Sequence, residues 1–170
     1  NVNLAQRVES KAGRGISEGF TAPLFDYAAG HSGGALPNGV HERGFVFVHP
    51  QDGHLGYFVL FDEVASPEGH YAQLALHPAS ADLAVGRENA EYRWRVRQLG
   101  THDVYLTVFL GTEPSTTEVR EGALAAQARS FVGKYLYASY PFDSTGRSQF
   151  VTVLLPHESE NGRPDMVRVK

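Results

Sequence analysis

The sequence contains no cysteine among its 170 residues. Disulfide bonds, thiolate nucleophiles and cysteine-ligated zinc are therefore excluded. No apolar run approaches the roughly 20 residues that a membrane-spanning helix needs, so we expect no membrane partner. The chain has 15 basic and 19 acidic side chains, and its net charge of −4 lacks the basic footprint of a nucleic-acid-binding protein.

The first residues lack an initiator methionine and the basic-then-apolar order of a signal peptide. We therefore expect a processed protein or an excised part of a longer one. The length suits one domain. We expect a flexible or truncated segment over residues 1–19 and a single domain over residues 20–170.

Strand patterns dominate the chain. In Glu91–Gln98, three apolar residues (Tyr92, Trp94, Val96) alternate with three arginines, which predicts a half-buried strand. The connections are rich in Gly, Pro, Asn and Asp and too short for crossover helices, so neighbouring strands should be antiparallel. We predict an all-β, antiparallel two-sheet β-sandwich (jelly-roll-like) with at most one short helix, over Glu121–Phe131. Further predicted strands are Gly44–His49, Leu55–Val64, Tyr71–His77, Asp103–Leu110, Gly133–Tyr140, Gln149–Pro156 and Asp165–Lys170.

The segment Gly30–Gly34 matches G-x-S-x-G, the nucleophile turn of α/β-hydrolases. That turn needs a buried parallel strand before the serine and a helix after it. Here Pro37 and an Asn-Gly pair stop any helix, and no α/β alternation follows. We therefore interpret Ser32 as part of a glycine-rich loop.

Eight histidines raise the question of a metal site. His41, Asp62 and His77 could supply two nitrogens and one oxygen to zinc. No H-x-H or H-E-x-x-H pair fixes two ligands on one element. Structural zinc or calcium is therefore possible but not supported by a motif, and we assign no cofactor and no metal ligand.

The arginines at 93, 95 and 97 form a row that could bind an anionic polymer, because guanidinium groups match carboxylate and sulfate. The alternative is a solvated strand face that covers surface and discourages foreign pairing. Tyr135, Tyr137 and Tyr140 fall on both faces of their strand, so at least one should be exposed.

One long segment is similar to a known family. FDYAAGHSGGALPNGVHERGFVFVHPQDGHLGYFVLFDEV (residues 25–64) resembles part of the β-sandwich domain of heparinase II/III-like polysaccharide lyases, where a DY-x-x-G segment precedes an Arg-led apolar strand and an Asp-containing strand. The resemblance continues through HYAQLALHP and QFVTVLLP and covers most of residues 20–160. The residues that carry it are Asp26, Tyr27, Gly30, Arg43, Tyr57, Phe58, Asp62, His77 and Pro156.

The resemblance implies the sandwich portion of a bacterial, periplasmic or secreted lyase. Such an enzyme degrades an acidic polysaccharide, a glycosaminoglycan or alginate, by β-elimination. In the family an α/α-toroid carries the Tyr/His catalytic apparatus, and the sandwich histidines belong to an H-x-H-x-D-like segment that this sequence lacks. The resemblance therefore implies no catalytic residue here, a base from a toroid domain or chain, and no turnover by these residues alone. The substrate-binding candidates are His41, Arg43, Arg93, Arg95 and Arg97.

Three other functions stay open. The chain could be a free-standing carbohydrate-binding module, which requires exposed Tyr and Arg on one sheet face. It could be a small hydrolase or metal-dependent enzyme that uses Ser32 or the histidines. It could also be a structural domain whose sheet edges meet partner chains.

Overall fold

The computed structural model describes residues 15–33, 36, 38–51, 53, 55–67, 70–78, 80, 82–86, 91–97, 103–126 and 129–158. Eleven strands form in these residues, and they contain no α-helix, hence none long and apolar enough to span a bilayer. The strands are β1 Gly15–Thr21, β2 Phe25–His31, β3 Val40–Val48, β4 Tyr57–Ala65, β5 Tyr71–Leu76, β6 Leu83–Val85, β7 Glu91–Arg97, β8 Asp103–Leu110, β9 Thr116–Ala126, β10 Arg129–Pro141 and β11 Arg147–His157.

The strands build two sheets in which the described pairings are all antiparallel. An eight-stranded sheet, here the long sheet, has the order β1-β2-β3-β4-β11-β8-β7-β6. A three-stranded sheet, here the short sheet, has the order β5-β10-β9. The predicted all-β, two-sheet antiparallel fold is confirmed.

The core lies between the short sheet and the β7, β8 and β11 region of the long sheet. Trp94 is fully buried, and its Nε1 donates a hydrogen bond to the carbonyl oxygen of Lys134 at 2.9 Å, which ties the two sheets together. Tyr140 and Phe150 stack with ring centroids 4.2 Å apart. The alternation predicted for β7 is confirmed for its described side chains, since Tyr92 and Trp94 are buried while the arginines between them are partly exposed.

Strand pairing assigns each side chain to one face of the long sheet, because directly paired residues point the same way. The inner face carries the core residue Phe150, which pairs with Asp62, which in turn pairs with Arg43. The core cluster contains no described residue of β1, β2 or β3. The inner face over these three strands therefore extends beyond the core, and Phe45 there is 36% exposed.

The predicted helix over Glu121–Phe131 is wrong. Residues 116–126 form β9 and residues 129–141 form β10, in unbroken antiparallel register from Arg129↔Ala126 to Ser139↔Thr116. The Ala- and Leu-rich composition suits a helix locally, but a complete ladder to β10 outweighs that preference.

Several strands extend beyond the predicted bounds. β3 begins at Val40 rather than Gly44, and β10 begins at Arg129 rather than Gly133. β1 includes residues 15–21, so the boundary expected at residue 20 falls inside a strand. Residues 1–14 and the predicted strand Asp165–Lys170 lie outside the described residues.

Candidate functional site

A charged cluster on β3 and β4 is centred on Asp62, whose side chain is wholly buried. His41 Nε2 lies 2.6 Å from Asp62 Oδ1, and Arg43 Nε donates to the same oxygen at 2.7 Å. The side chains of His41 and Arg43 are 23% and 41% exposed. One buried carboxylate therefore orients two donors that reach solvent.

Local strand geometry creates this cluster. His41 and Arg43 are two residues apart on β3 and so point to the same face. Arg43 pairs directly with Asp62 on β4, which brings an arginine and a carboxylate opposite each other. Asp62 lies at the edge of the core, beside Phe150, and the side chains of His41 and Arg43 reach solvent over β3, which contributes no described core residue.

The cluster has unused hydrogen-bonding capacity. Asp62 Oδ2 is buried and has no hydrogen-bond partner among the described residues. Arg43 is bound to Asp62 through Nε, so this pair leaves its two terminal amino groups available. These amino groups present the geometry that carboxylate and sulfate groups accept.

A row of aromatic rings continues along the inner face next to the cluster. Phe45 and Phe47, the next inward residues of β3, pack on Phe58 of β4 with centroid distances of 5.3 and 4.7 Å. His49 lies at the end of the row, edge-on to Phe47. The cluster therefore borders a partly exposed aromatic surface.

His49 forms an ion pair with Asp26, with 3.1 Å between Nε2 and Oδ2. Its Nδ1 faces the carbonyl oxygen of Pro23 at 3.2 Å, so both ring nitrogens meet acceptors and the protonated ring fits best. The hydrogen bond that His49 donates to Asp26 raises the pKa of His49, and the same bond lowers the pKa of Asp26.

The arginine row of β7 lies on the other face of the long sheet from His41 and Arg43. Arg93 and Arg95 alternate with the buried Trp94 and therefore point outward. Arg95 pairs with Asp82 at 2.7 Å and with Asp103 at 3.7 Å, which offsets its charge. The four substrate-binding candidates whose side chains are described are thus divided between two faces.

Arg97 belongs to β7 and its backbone pairs with Asp103, while its side chain lies outside the described part of the structure. Its predicted role in binding stays a prediction.

Ser32 follows β2 and is 5% exposed. Its Oγ accepts a hydrogen bond from the backbone N–H of His41 at 2.9 Å. Its own backbone N–H donates a hydrogen bond to the carbonyl oxygen of His41 at 2.8 Å. The preceding strand is antiparallel to both neighbours, unlike the strand of a nucleophile turn. Ser32 therefore anchors the β2–β3 connection.

The suggested grouping of His41, Asp62 and His77 around a metal is wrong. His77 follows β5 in the short sheet, and its Nε2 is hydrogen-bonded to the hydroxyl of Tyr137 at 2.9 Å. The described residues contain no group of three His, Asp or Glu side chains arranged to hold a metal ion.

Of the three tyrosines of β10, Tyr135 and Tyr140 are buried and Tyr137 is partly exposed. The guanidinium carbon of Arg120 lies 4.6 Å from the centre of the Tyr137 ring. This stack lies on the outer face of the short sheet, where Tyr71 is also exposed. The sequence does not identify Arg120, because its position beside Tyr137 depends on the pairing of β9 with β10.

By its fold, this chain belongs to the class of antiparallel two-sheet β-sandwiches, with one long and one short sheet. Several solved structures share this fold, among them the following two. Heparan sulfate lyase HepC from Pedobacter heparinus superposes with a TM-score of 0.64 at 14% identity, over 86% of this chain and 22% of that one. The heparinase III product of the BT4657 gene superposes with a TM-score of 0.68 at 16% identity, over 88% of this chain and 22% of that one.

The chain thus spans about a fifth of the length of the lyases that it resembles. No family model matches the sequence, and no curated protein matches it. The resemblance to heparinase-type lyases that the sequence predicts is confirmed at the level of the fold, and it applies to one part of those enzymes.

Proposed function

We propose that this chain is the β-sandwich domain of a heparinase II/III-type polysaccharide lyase. Its substrate is an acidic polysaccharide that contains uronic acid, and the reaction is β-elimination. The catalytic base comes from a helical α/α-toroid domain or chain that packs beside the sandwich. The single observation that carries the proposal is the Asp62-centred cluster on the open inner face of a fold shared with heparan sulfate lyases.

The cluster suits the anionic groups of such a substrate. In β-elimination a base removes the proton at C5 of a uronate, the C4–O bond breaks, and a C4=C5 double bond forms. The departing oxygen takes up a proton. A cation at the uronate carboxylate stabilises the negative charge that develops when C5 loses its proton. The terminal amino groups of Arg43 are placed for that contact, with His41 beside them and Asp62 holding both.

A binding experiment tests the role of the cluster. Isothermal titration with a heparan sulfate hexasaccharide should give a Kd about tenfold weaker for Arg43→Gln, which corresponds to about 1.4 kcal/mol. The matched control is Arg147→Gln, which removes the same charge from an exposed arginine paired with Glu63. Equal losses of affinity for both variants would show that binding depends only on the overall charge of the chain, and this would contradict the proposal.

A lyase assay tests the need for a second domain. The absorbance of the unsaturated product should stay at baseline for these 170 residues on heparan sulfate and alginate. Robust turnover by this chain alone would contradict the proposal that the catalytic base comes from a second domain or chain. We place the whole enzyme in the periplasm or outside the cell, and we expect the reading frame upstream of Asn1 to encode a helical region.

A carbohydrate-binding module without catalysis is the second candidate. The stack of Arg120 on Tyr137, with Tyr71 exposed on the same sheet face, is the observation that favours it. Under this alternative Tyr71→Ala would weaken glycan binding while Arg43→Gln would not. The two candidates therefore predict opposite results in one titration series.

A further inference from the structure

A concave surface lies on the outer face of the long sheet, where register places Glu42, Gly44 and Glu63. Arg43 and Asp62, whose side chains belong to the inner face, also border it. It has a volume of about 790 Å³ and is lined from β1, β2, β3, β4 and β11. Strand register places Gly44, Phe61 and Val151 side by side across its floor. We call this surface the outer groove.

The floor of the outer groove is aromatic and has a gap at Gly44. A Cβ atom added there would lie 3.5 Å from Cε2 of Tyr27 and 3.7 Å from the Phe61 side chain. The absence of a side chain at this position therefore leaves space between two rings. Phe61 is 47% exposed, so one ring is open to a ligand.

The rim of the outer groove is acidic, and its carboxylates already have donors. Glu18 accepts the hydroxyl of Tyr27 at 3.0 Å. Glu63 accepts the side-chain amide of Gln149 at 2.6 Å and pairs with Arg147. Each carboxylate keeps free lone pairs, because two oxygens offer about four acceptor sites.

His31 is fixed as a donor on the same rim. Its Nδ1 accepts the backbone N–H of Gly33 at 2.7 Å, so in the neutral ring Nε2 carries the hydrogen. That nitrogen faces Oε1 of Glu42 at 3.3 Å. The rim thus combines oriented acceptors with a few donors around an exposed ring.

This composition disfavours acidic glycans, since Arg147 offsets the charge of only one rim carboxylate, Glu63, and it does not suit a bare cation. Three carboxylates on the rim would repel a uronate or sulfate group. A small cation would find each carboxylate already engaged by a donor. Hydroxyl groups can donate to the remaining lone pairs, while a flat C–H face packs on an aromatic ring.

We propose that the outer groove binds an uncharged sugar unit. The apolar face of the sugar packs on Phe61, and its hydroxyls donate to Glu42 and Glu63. This site is separate from the one under the proposed function, and it does not depend on lyase activity. The long sheet would then present an anion-binding inner face and a neutral-sugar outer face.

The test is an NMR titration of the ¹⁵N-labelled chain. The neutral probes are cellotetraose, β-1,4-mannotetraose, β-1,4-galactotetraose and chitotetraose, each to 10 mM, with a heparin tetrasaccharide as the anionic probe. At least one neutral probe should shift the amide signals of Gly44 and Phe61. The heparin probe should leave these signals unchanged.

Two variants alter the floor in opposite ways. Phe61→Ala removes the open ring, and Gly44→Ala places a methyl group in ordinary contact with both rings, so both should fold and weaken binding at least tenfold. Val85→Ala, at an exposed residue of β6 at the far edge of the long sheet, is the control and should bind within twofold of the unaltered chain. No shift with any neutral probe, or equal shifts with heparin, would overturn the proposal.

Discussion

His41 Nε2 lies 2.6 Å from Oδ1 of Asp62, and the Asp62 side chain is wholly buried. A buried carboxylate is stable in its ionised form only if it keeps its donors. The two groups that satisfy it come from the neighbouring strand and reach solvent. The cluster therefore links the stability of the sheet to two side chains that reach solvent.

Asp62→Asn should lower the free energy of unfolding by about 1–3 kcal/mol, because it weakens two charge-assisted hydrogen bonds and leaves Arg43 without its counter-ion. Urea denaturation followed by circular dichroism measures the effect. Glu42→Gln is the matched control, since the Glu42 carboxylate is 57% exposed and its loss should cost less than about 0.5 kcal/mol. Equal midpoints for Asp62→Asn and the unaltered chain would contradict the structural role of the buried charge.

Trp94→Phe should destabilise the chain by about 2–4 kcal/mol. The change leaves a cavity in the core and removes the donor that satisfies the carbonyl oxygen of Lys134. Unfolding must be followed by circular dichroism, because Trp94 is the only tryptophan. Tyr71→Phe, at a side chain that is 54% exposed, provides the control and should unfold with the unaltered chain. A loss no larger than that of Tyr71→Phe would show that the contact between the sheets does not depend on the indole.

The connection between β3 and β4 contains two glycines in the left-handed region, and they should respond differently to alanine. Gly56 has φ of 81°, and an added Cβ would lie 2.4 Å from the carbonyl oxygen of Val48. Gly53 has φ of 82° but open space around it. Gly53→Ala should cost about 1 kcal/mol from backbone strain alone, and Gly56→Ala should cost about 1–3 kcal/mol more, because the backbone must move. Thermal unfolding of the two variants makes the comparison. Equal melting temperatures would show that the clash of a Cβ at position 56 with the Val48 carbonyl oxygen adds no cost.

The sequence predicts some strands well because their information is local. β8 has the predicted bounds, and β7 is predicted to within one residue, because its alternation is regular. β2 was not predicted, since Asp, Tyr, Ala and Gly in Phe25–His31 give no apolar period and all seven side chains are partly buried. β9 was mistaken for a helix because only its ladder to β10 identifies it as a strand.

The candidate site shows the same limit. The sequence groups His41 with Asp62 and His41 with Arg43, as the structure does. It also adds His77 to the first pair and the arginines of β7 to the second, and the structure places these elsewhere. Which side chains share a face depends on strand register across the sheet, and register is a non-local property. The outer groove could not be predicted for the same reason, since its floor joins residues from separate strands.

The contribution of the ion pair between Asp26 and His49 to the free energy of unfolding should be largest in mildly acidic solution. Because the pKa of His49 is raised by Asp26, its contribution is complete below the ordinary value of about 6.5 and is lost as pH rises through the raised one. Because the pKa of Asp26 is lowered by the same bond, its contribution is present above about 4 and is lost as pH falls through the lowered one. The pair should therefore stabilise most between about pH 4 and 6.5. Melting temperatures from pH 3 to 9 measure this window, with His49→Gln as the comparison. The difference between the two proteins should be largest inside the window and shrink on both sides, and a difference that stays constant with pH would show that the two groups are not coupled.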